Sequence, residues 1–515
     1  MLISDTLSAT VDHFPFKEAL ICNGRRMTYS EIADATDRLS SFLVNSGLRK
    51  GDRVLIYMGN TVEAVLSIYG TLKASGVFVV INPQVKSHKL NYIIRDSGAR
   101  FLVSDKVLLP VLNDALRDLE EPPRMIISGD GKSKEEGELE LKYHTFEEAV
   151  STGVISRNPS PIDVDLAALI YTSGSTGSPK GVMLTHRNMV SASNSIIKYL
   201  RNTPDDIILS VLPLSFDYGL YQIIMAFHFG GTVVLEPSFV FPHLILSKIS
   251  SEKATGFPIV PTICSILLRM KNLEDYDLSS LRYITNTAQQ LPPTMITRLV
   301  DEFPDVDIYS MYGLTECKRV SYLPPELLRS KPGSVGKAMP NVEAFILGED
   351  GEVITTPWTR GELMIRGSNV MQGYWNDVLM TGRVLKVGAY PDDRFLLTGD
   401  IFEMDDDGDL YFIGRKDDII KTRGEKVSPK EVENVIYQME GIKDVGVIGV
   451  DDELLGQAVK AFISSDDIEI TAEVVQAHCQ RNMESFMVPK YFVILKELPK
   501  NQNGKIDKLR LSNEQ

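Results

Sequence analysis

The chain reads as an α/β protein of more than one domain, and three observations predict it. Short apolar strands alternate with helical patterns over most of its length, the arrangement of a parallel sheet with helices on its faces. Its 515 residues exceed the roughly 250–300 at which a single core stops growing. A burst of charge at Gly414–Asp418 (GRKDD) then separates this alternation from a final stretch with its own apolar periodicity.

Each element follows from local chemistry. Ala19–Cys22 and Arg26–Tyr29 flank Asn23-Gly24, a short-hairpin signal. Thr28-x-x-Glu31 is a capping box, so a helix opens there. Arg53–Tyr57 and Val77–Ile81 are apolar strands joined by the helical pattern of Val62–Lys73. Ser128–Gly137 is glycine-rich and charged, with no apolar anchor, and reads as a solvated loop without function. Leu166–Tyr171 is a buried strand, and Leu410–Ile413 another. Ser428-Pro429-x-Glu431 is a capping box with proline at the first helical position, which starts a new helix. The expected division is residues 1–413 and 418–515, with the boundary at 414–417.

Composition excludes several functions. The apolar fraction of 43% and charged fraction of 24% are those of a globular protein. A net charge of −15 argues against nucleic acid or an anionic membrane surface as the main partner. Cys22, Cys264, Cys317 and Cys479 are far apart and form no C-x-x-C pair, as expected of reduced thiols in a cytoplasmic protein. The N-terminus lacks the basic start and apolar run of a signal peptide, and no segment reaches the roughly 20 apolar residues that span a bilayer.

The chemistry begins where Leu166–Tyr171 runs into Thr172-Ser173-Gly174-Ser175-Thr176-Gly177-Ser178-Pro179-Lys180-Gly181. Glycines let backbone N–H groups approach an anion, hydroxyls add donors, and Lys180 adds charge, which together make a phosphate cradle. The same composition suits a flexible linker, but a linker is out of place between an apolar strand and Val182-Met183-Leu184. It is not the G-x-x-x-x-G-K-[ST] loop of kinases and GTPases. Asp405–Asp409 (DDDGD) has the flavour of a calcium loop, but the twelfth position from Asp405 is Lys416 instead of glutamate, so a solvated turn is expected. His186 has no second histidine at i+4 and reads as structural.

TSGSTGSPKGV resembles the signature of the adenylate-forming superfamily: acyl-CoA synthetases, adenylation domains of peptide synthetases, and luciferase. Further motifs follow in that superfamily's order: Tyr312-Gly313-Leu314-Thr315-Glu316, Thr398-Gly399-Asp400, Gly414-Arg415-Lys416-Asp417, Gly424, and Asn503-Gly504-Lys505. The resemblance implies a large N-terminal AMP-binding region of α/β subdomains and a small mobile α+β lid. It implies ATP, Mg²⁺, and coenzyme A or a phosphopantetheine arm as cofactors, with a carboxylic acid as substrate. Lys505 would then serve the carboxylate and α-phosphate, Glu316 would hold Mg²⁺, and Thr315 would donate to a phosphate. Tyr312 would stack on adenine, and Asp400 would accept the ribose hydroxyls with Arg415 assisting. Asp417 would be the hinge, with Gly424 on the thiol's path beside Lys421, Arg423 and Lys426. Thr287-Ala288-Gln289-Gln290 departs from the usual Gly-rich turn, although Ala288 keeps its small size.

Two questions stay open at this level. The acceptor thiol belongs either to coenzyme A or to a separate carrier protein. Pro213–Gly219 resembles the superfamily segment that forms the pocket wall, which would place Phe216 and Asp217 there, and Asp217 has two readings. It either pairs with the ammonium of an amino-acid substrate or caps the helical pattern starting at Tyr218. A nucleotide-binding regulatory protein without turnover is a further class, disfavoured by the presence of the lysine, the glutamate and the hinge.

Overall fold

The strands Arg53–Tyr57 and Val77–Ile81 are apolar at nearly every position because both of their faces are covered. Val54, Ile56, Phe78 and Val80 face one core, while Leu55, Tyr57, Val77, Val79 and Ile81 face another. Doubly buried parallel strands lose the polar alternation of a half-exposed sheet. The helix between them, Val62–Lys73, is capped by the Thr61 hydroxyl and returns the chain for parallel pairing from Arg53↔Val77 to Tyr57↔Ile81.

The computed structural model describes residues 1–129, 142–151, 153, 159–173, 179–287, 289–390, 393–422, 425–452, 455–467, 469–501 and 504–513. Gly174, Ser175, Thr176, Gly177, Ala288 and Gly424 lie outside this set, as do Arg423, Asn503 and most of the expected Ser128–Gly137 loop. Among the described residues three sheets form. One has seven strands, parallel as far as Leu166–Ser173, which then pairs antiparallel with Pro179–Thr185. Thr172 and Ser173 thus pair with Lys180 and Pro179, the described ends of the expected phosphate segment.

The second sheet has fourteen strands. Its parallel part includes Ile207–Ser210, Gly256–Ile259, Tyr283–Asn286 and Asp307–Tyr312. An antiparallel part follows that includes Ser334–Ala338, Leu410–Arg415 and Arg394–Met404. In open sheets of this kind, ligands bind in the crevice beyond the carboxyl ends of the parallel strands. The third sheet, of five strands, is built around the long pair Ile442–Asp452 and Gly456–Ser465. Its core, from Ile420 to Cys479, shares no residue with the other two. The whole is an α/β molecule with a large N-terminal part and a smaller C-terminal one.

Local signals hold with one refinement. Thr28 and Glu31 form the reciprocal capping box. Ser428 accepts from the backbone N–H groups of Lys430 and Glu431, but the Glu431 carboxylate reaches Arg360 of the large part. Glu431 thus forms no reciprocal cap and instead serves as a strut between the two parts. His186 is buried and takes a hydrogen bond from the Ile3 backbone at its Nδ1, 3.3 Å away, which is a structural task. Desolvation pushes its pKa down to about 4.

Candidate active site

Beyond the carboxyl ends of the parallel strands lies a cavity of about 520 Å³, bounded by both parts of the molecule. Of the residues expected from sequence it gathers Thr172, Phe216, Asp217, Tyr312, Thr315, Glu316, Asp400, Arg415 and Lys505. Lys180 does not line it. Its amine sits 5.6 Å above the Tyr374 ring, and the Tyr374 hydroxyl donates to Glu316 Oε1 at 2.8 Å. Asp417 lies outside the cavity, exposed in the turn that follows Leu410–Arg415.

The turn Gly313–Lys318 shows why its sequence is as it is. A Cβ on Gly313 would stand 2.4 Å from the Lys318 carbonyl oxygen, so only glycine lets the chain fold back there. Asn369 clamps the turn by donating to the carbonyls of Cys317 and Arg319. The Glu316 carbonyl accepts from Met371 N–H at 2.8 Å. Glu316 is thereby held with Oε1 on Tyr374, while Oε2 takes no hydrogen bond among the described residues. A carboxylate oxygen left free in a cavity is the kind of ligand a hard cation such as Mg²⁺ would take.

Asp400 stands on the strand Arg394–Met404 and is 2% exposed. Its Oδ2 accepts from the Tyr312 hydroxyl. Its Oδ1 lies 3.1 Å from Arg415 Nη1 but without hydrogen-bond alignment, so this buried oxygen has acceptor capacity to spare. Burial raises the carboxyl to about 6, against the pull of Arg415 and Tyr312. The Tyr312 ring packs on Phe402 and Phe412, so its orientation is set by the core.

Lys505 enters from the C-terminal part on a tight loop. Gly504 before it has φ +74°, and Asn501 binds the Lys505 backbone from both its carboxamide oxygen and its own N–H. The loop is tied to the large part by Thr262, whose hydroxyl donates to the Gly504 carbonyl at 2.9 Å. Lys505 is half-buried, and its amine makes no hydrogen bond or ion pair among the described residues. Burial holds that amine below its ordinary value, opposed by the fields of Asp217, Asp400 and Glu316.

Asp217 departs from both sequence readings. The helix Asp217–Phe229 has Phe216 as its N-cap and no side-chain cap bond, so Asp217 is the first helical residue and caps nothing. Its charge is already met from within the chain: Lys318 Nζ stands 3.2 Å from Asp217 Oδ2 and 2.9 Å from its carbonyl oxygen. Lys318 is 3% exposed, lies 4.4 Å over the Tyr221 ring, and has a left-handed φ of +55°. Desolvation lowers its amine to about 8. A left-handed lysine is strained, so the turn and the ion pair together hold it in place.

Sequence reasoning also missed a second basic group. Lys430, 8% exposed, reaches the Gln290 carbonyl at 3.4 Å across the cavity and lies 3.6 Å from Glu433. Lys508 sits 3.1 Å from the same glutamate. The signal available for both was only a lysine beside a helix start and one near a chain end. The DDDGD segment is more than a solvated turn, since Asp405 and Asp409 are buried and all three of Asp405, Asp407 and Asp409 pair with Lys331. A protein cation occupies the place a metal would take.

Arranged this way, the cavity sets an unpartnered cation, a free carboxylate oxygen and a buried acceptor around one space. That suits joining a carboxylate to a nucleotide phosphate. Comparison with known proteins agrees. The family pattern described as AMP-binding enzyme matches residues 7–375, and that described as AMP-binding enzyme C-terminal domain matches 431–505. A long-chain-fatty-acid–CoA ligase of Bacillus subtilis is 31% identical, over 100% of this chain and 94% of the relative. The crystal structure of the anthranilate CoA ligase AuaEII with anthranoyl-AMP superposes with a TM-score of 0.90 at 26% identity, covering 100% and 97%. The o-succinylbenzoate CoA synthetase of Bacillus subtilis with its acyl-adenylate does so at 0.85 and 26%, covering 99% and 98%.

Proposed function

The chain belongs to the AMP-binding enzyme family, and from that membership we propose how its residues divide the work of an AMP-forming acid–CoA ligase. Such a ligase joins a carboxylate oxygen to the α-phosphorus of ATP and expels pyrophosphate. The coenzyme A thiol then attacks the acyl carbon, forming the thioester and releasing AMP.

Both the carboxylate and the triphosphate are anionic, so the first step needs fixed positive charge and alignment. The observation that carries the reading is the Lys505 amine, half-buried in the cavity and without a partner among the described residues. It stands ready to neutralise the attacking carboxylate and the α-phosphate. Thr315 donates to a phosphate oxygen. Asp400, with Oδ1 uncommitted, accepts from the ribose hydroxyls while Arg415 holds its charge. Tyr312 offers its ring to adenine. Glu316 would hold Mg²⁺ through the oxygen that Tyr374 leaves free, and that ion would neutralise charge on the phosphates.

Residues 418–515 act as a lid that turns about Asp417, withdrawing Lys505 and bringing the segment around Gly424 to the thiol's path. Coenzyme A is the acceptor of choice, because the relatives are CoA ligases and a carrier protein is not favoured. Near Gly424, Lys421 is exposed while Lys426 pairs with Glu349, which leaves Lys421 as the readier contact for a coenzyme A phosphate. Four reduced, buried cysteines support a cytoplasmic setting.

The test separates the two half-reactions. Lys505→Ala nearly abolishes acid-dependent ATP–pyrophosphate exchange but leaves thioester formation from supplied acyl-adenylate largely intact, because the amine serves only the first transition state. Equal loss in both halves refutes the assignment.

A further inference from the structure

The wall of the cavity at the start of the helix Asp217–Phe229 is charged, and its charges are internally balanced. A Cβ on Gly219 would come within 2.4 Å of the Pro213 carbonyl oxygen, so the helix is pressed onto the preceding segment and presents Asp217 to the cavity. Lys318, from the turn after Glu316, meets it there and lines the same cavity. Each Lys318 contact named above uses Asp217 Oδ2, the Asp217 carbonyl or an aromatic face. Asp217 Oδ1 takes no hydrogen bond among the described residues, while the side chain keeps 10% exposure. An unfilled acceptor therefore remains on a side chain that lines the cavity.

Resting on the ligase reading, we infer that Asp217 and Lys318 form a specificity wall selecting a compact carboxylic acid with a neutral hydrogen-bond donor, a hydroxyl, arylamine or amide, against a straight alkyl chain. Three observations carry this. Alkyl carbons laid along the pair would strip water from Asp217 Oδ1 and return no bond. A neutral donor fills that oxygen without adding charge, whereas a substrate ammonium would be a third cation beside Lys318 and Lys505, with Asp217 already paired. The cavity of about 520 Å³ is of the size that takes one drug-sized ligand, and here nucleotide and acid share it, which favours a compact acid.

The experiment is ATP–pyrophosphate exchange with matched acids: salicylate, anthranilate and benzoate, then 4-hydroxybutyrate, butyrate, 4-aminobutyrate and decanoate. The wild-type enzyme is expected to favour at least one donor-bearing neutral acid over its unsubstituted partner by at least tenfold in kcat/KM, and over decanoate by more. In the double variant Asp217→Leu/Lys318→Met, which replaces the pair by apolar groups of similar size and is built to fold, that preference falls at least tenfold and decanoate gains. Asp217→Asn, which keeps hydrogen bonding, retains part of the preference.

Best exchange with decanoate overturns the inference and leaves the ligase reading standing. So does a preference unchanged in the double variant, and exchange led by 4-aminobutyrate overturns the exclusion of cations. No exchange with any acid, in protein that melts cooperatively and binds ATP, overturns the ligase reading and the inference together.

Discussion

Thr262→Val isolates a single bond that holds the lysine loop. In the structure the Thr262 hydroxyl donates to the Gly504 carbonyl at 2.9 Å, one residue before Lys505 and across the seam between the two parts. Valine keeps the shape and removes the donor. A neutral hydrogen bond of this kind is worth about 0.5–1.5 kcal/mol net. Since about 1.4 kcal/mol is tenfold in a rate or population, adenylation is expected to slow by roughly 2- to 10-fold. The effect stays at that level because Lys430 to Gln290 and Glu431 to Arg360 also bridge the seam. Single-turnover formation of acyl-adenylate is the assay, run beside thioester formation from supplied acyl-adenylate. The first slows and the second is unchanged or faster, since a lid freed of one tie turns more readily. Thr262→Ser restores the first. Equal slowing of both half-reactions, or no rescue by serine, would falsify the view that this bond positions Lys505.

Other expectations come from the same geometry. Asp400 titrates near 6 against an ordinary value of 3.8, so kcat/KM for ATP falls as pH drops below about 6 and the carboxylate stops accepting ribose hydroxyls; Asp400→Asn, measured over pH 5–8, flattens this limb. Because the folded pKa is raised, the native state binds a proton that the unfolded chain releases between about 3.8 and 6, so the Asp400 contribution to stability declines as pH rises through that window, visible as a difference in thermal midpoints between wild type and Asp400→Asn. Asp417→Pro restricts the turn after Leu410–Arg415, since proline fixes φ near roughly −65°; adenylation is spared more than thioester formation, and wild-type rates in both would place the hinge elsewhere. Lys318→Met leaves the Asp217 carboxylate buried without its partner and costs about 3–5 kcal/mol in denaturant unfolding, whereas Asp217→Leu/Lys318→Met recovers most of it.

Much of this protein was legible in its sequence because much of it is local. A capping box such as Thr28/Glu31 needs only residues three apart, and a doubly buried strand such as Val77–Ile81 announces itself by unbroken apolarity. The ordered series of motifs pointed to the family, and nine of the residues expected from sequence line one cavity. Gly174–Gly177, Ala288 and Gly424 lie outside the described residues. Partnerships between distant residues were decided only in three dimensions. Asp217 read as a cap or an ammonium partner because its cation lies 101 residues away, turned inward by a backbone conformation that no periodicity encodes. Thr262 lies 242 residues from the loop it ties, and three of the four aspartates of DDDGD found Lys331 from another turn of the chain. Sequence patterns report which side chains share a face of one element, since helix and strand geometry repeat over a few residues. Which charge meets which depends on where separate elements dock, and that docking is set by the packing of whole cores.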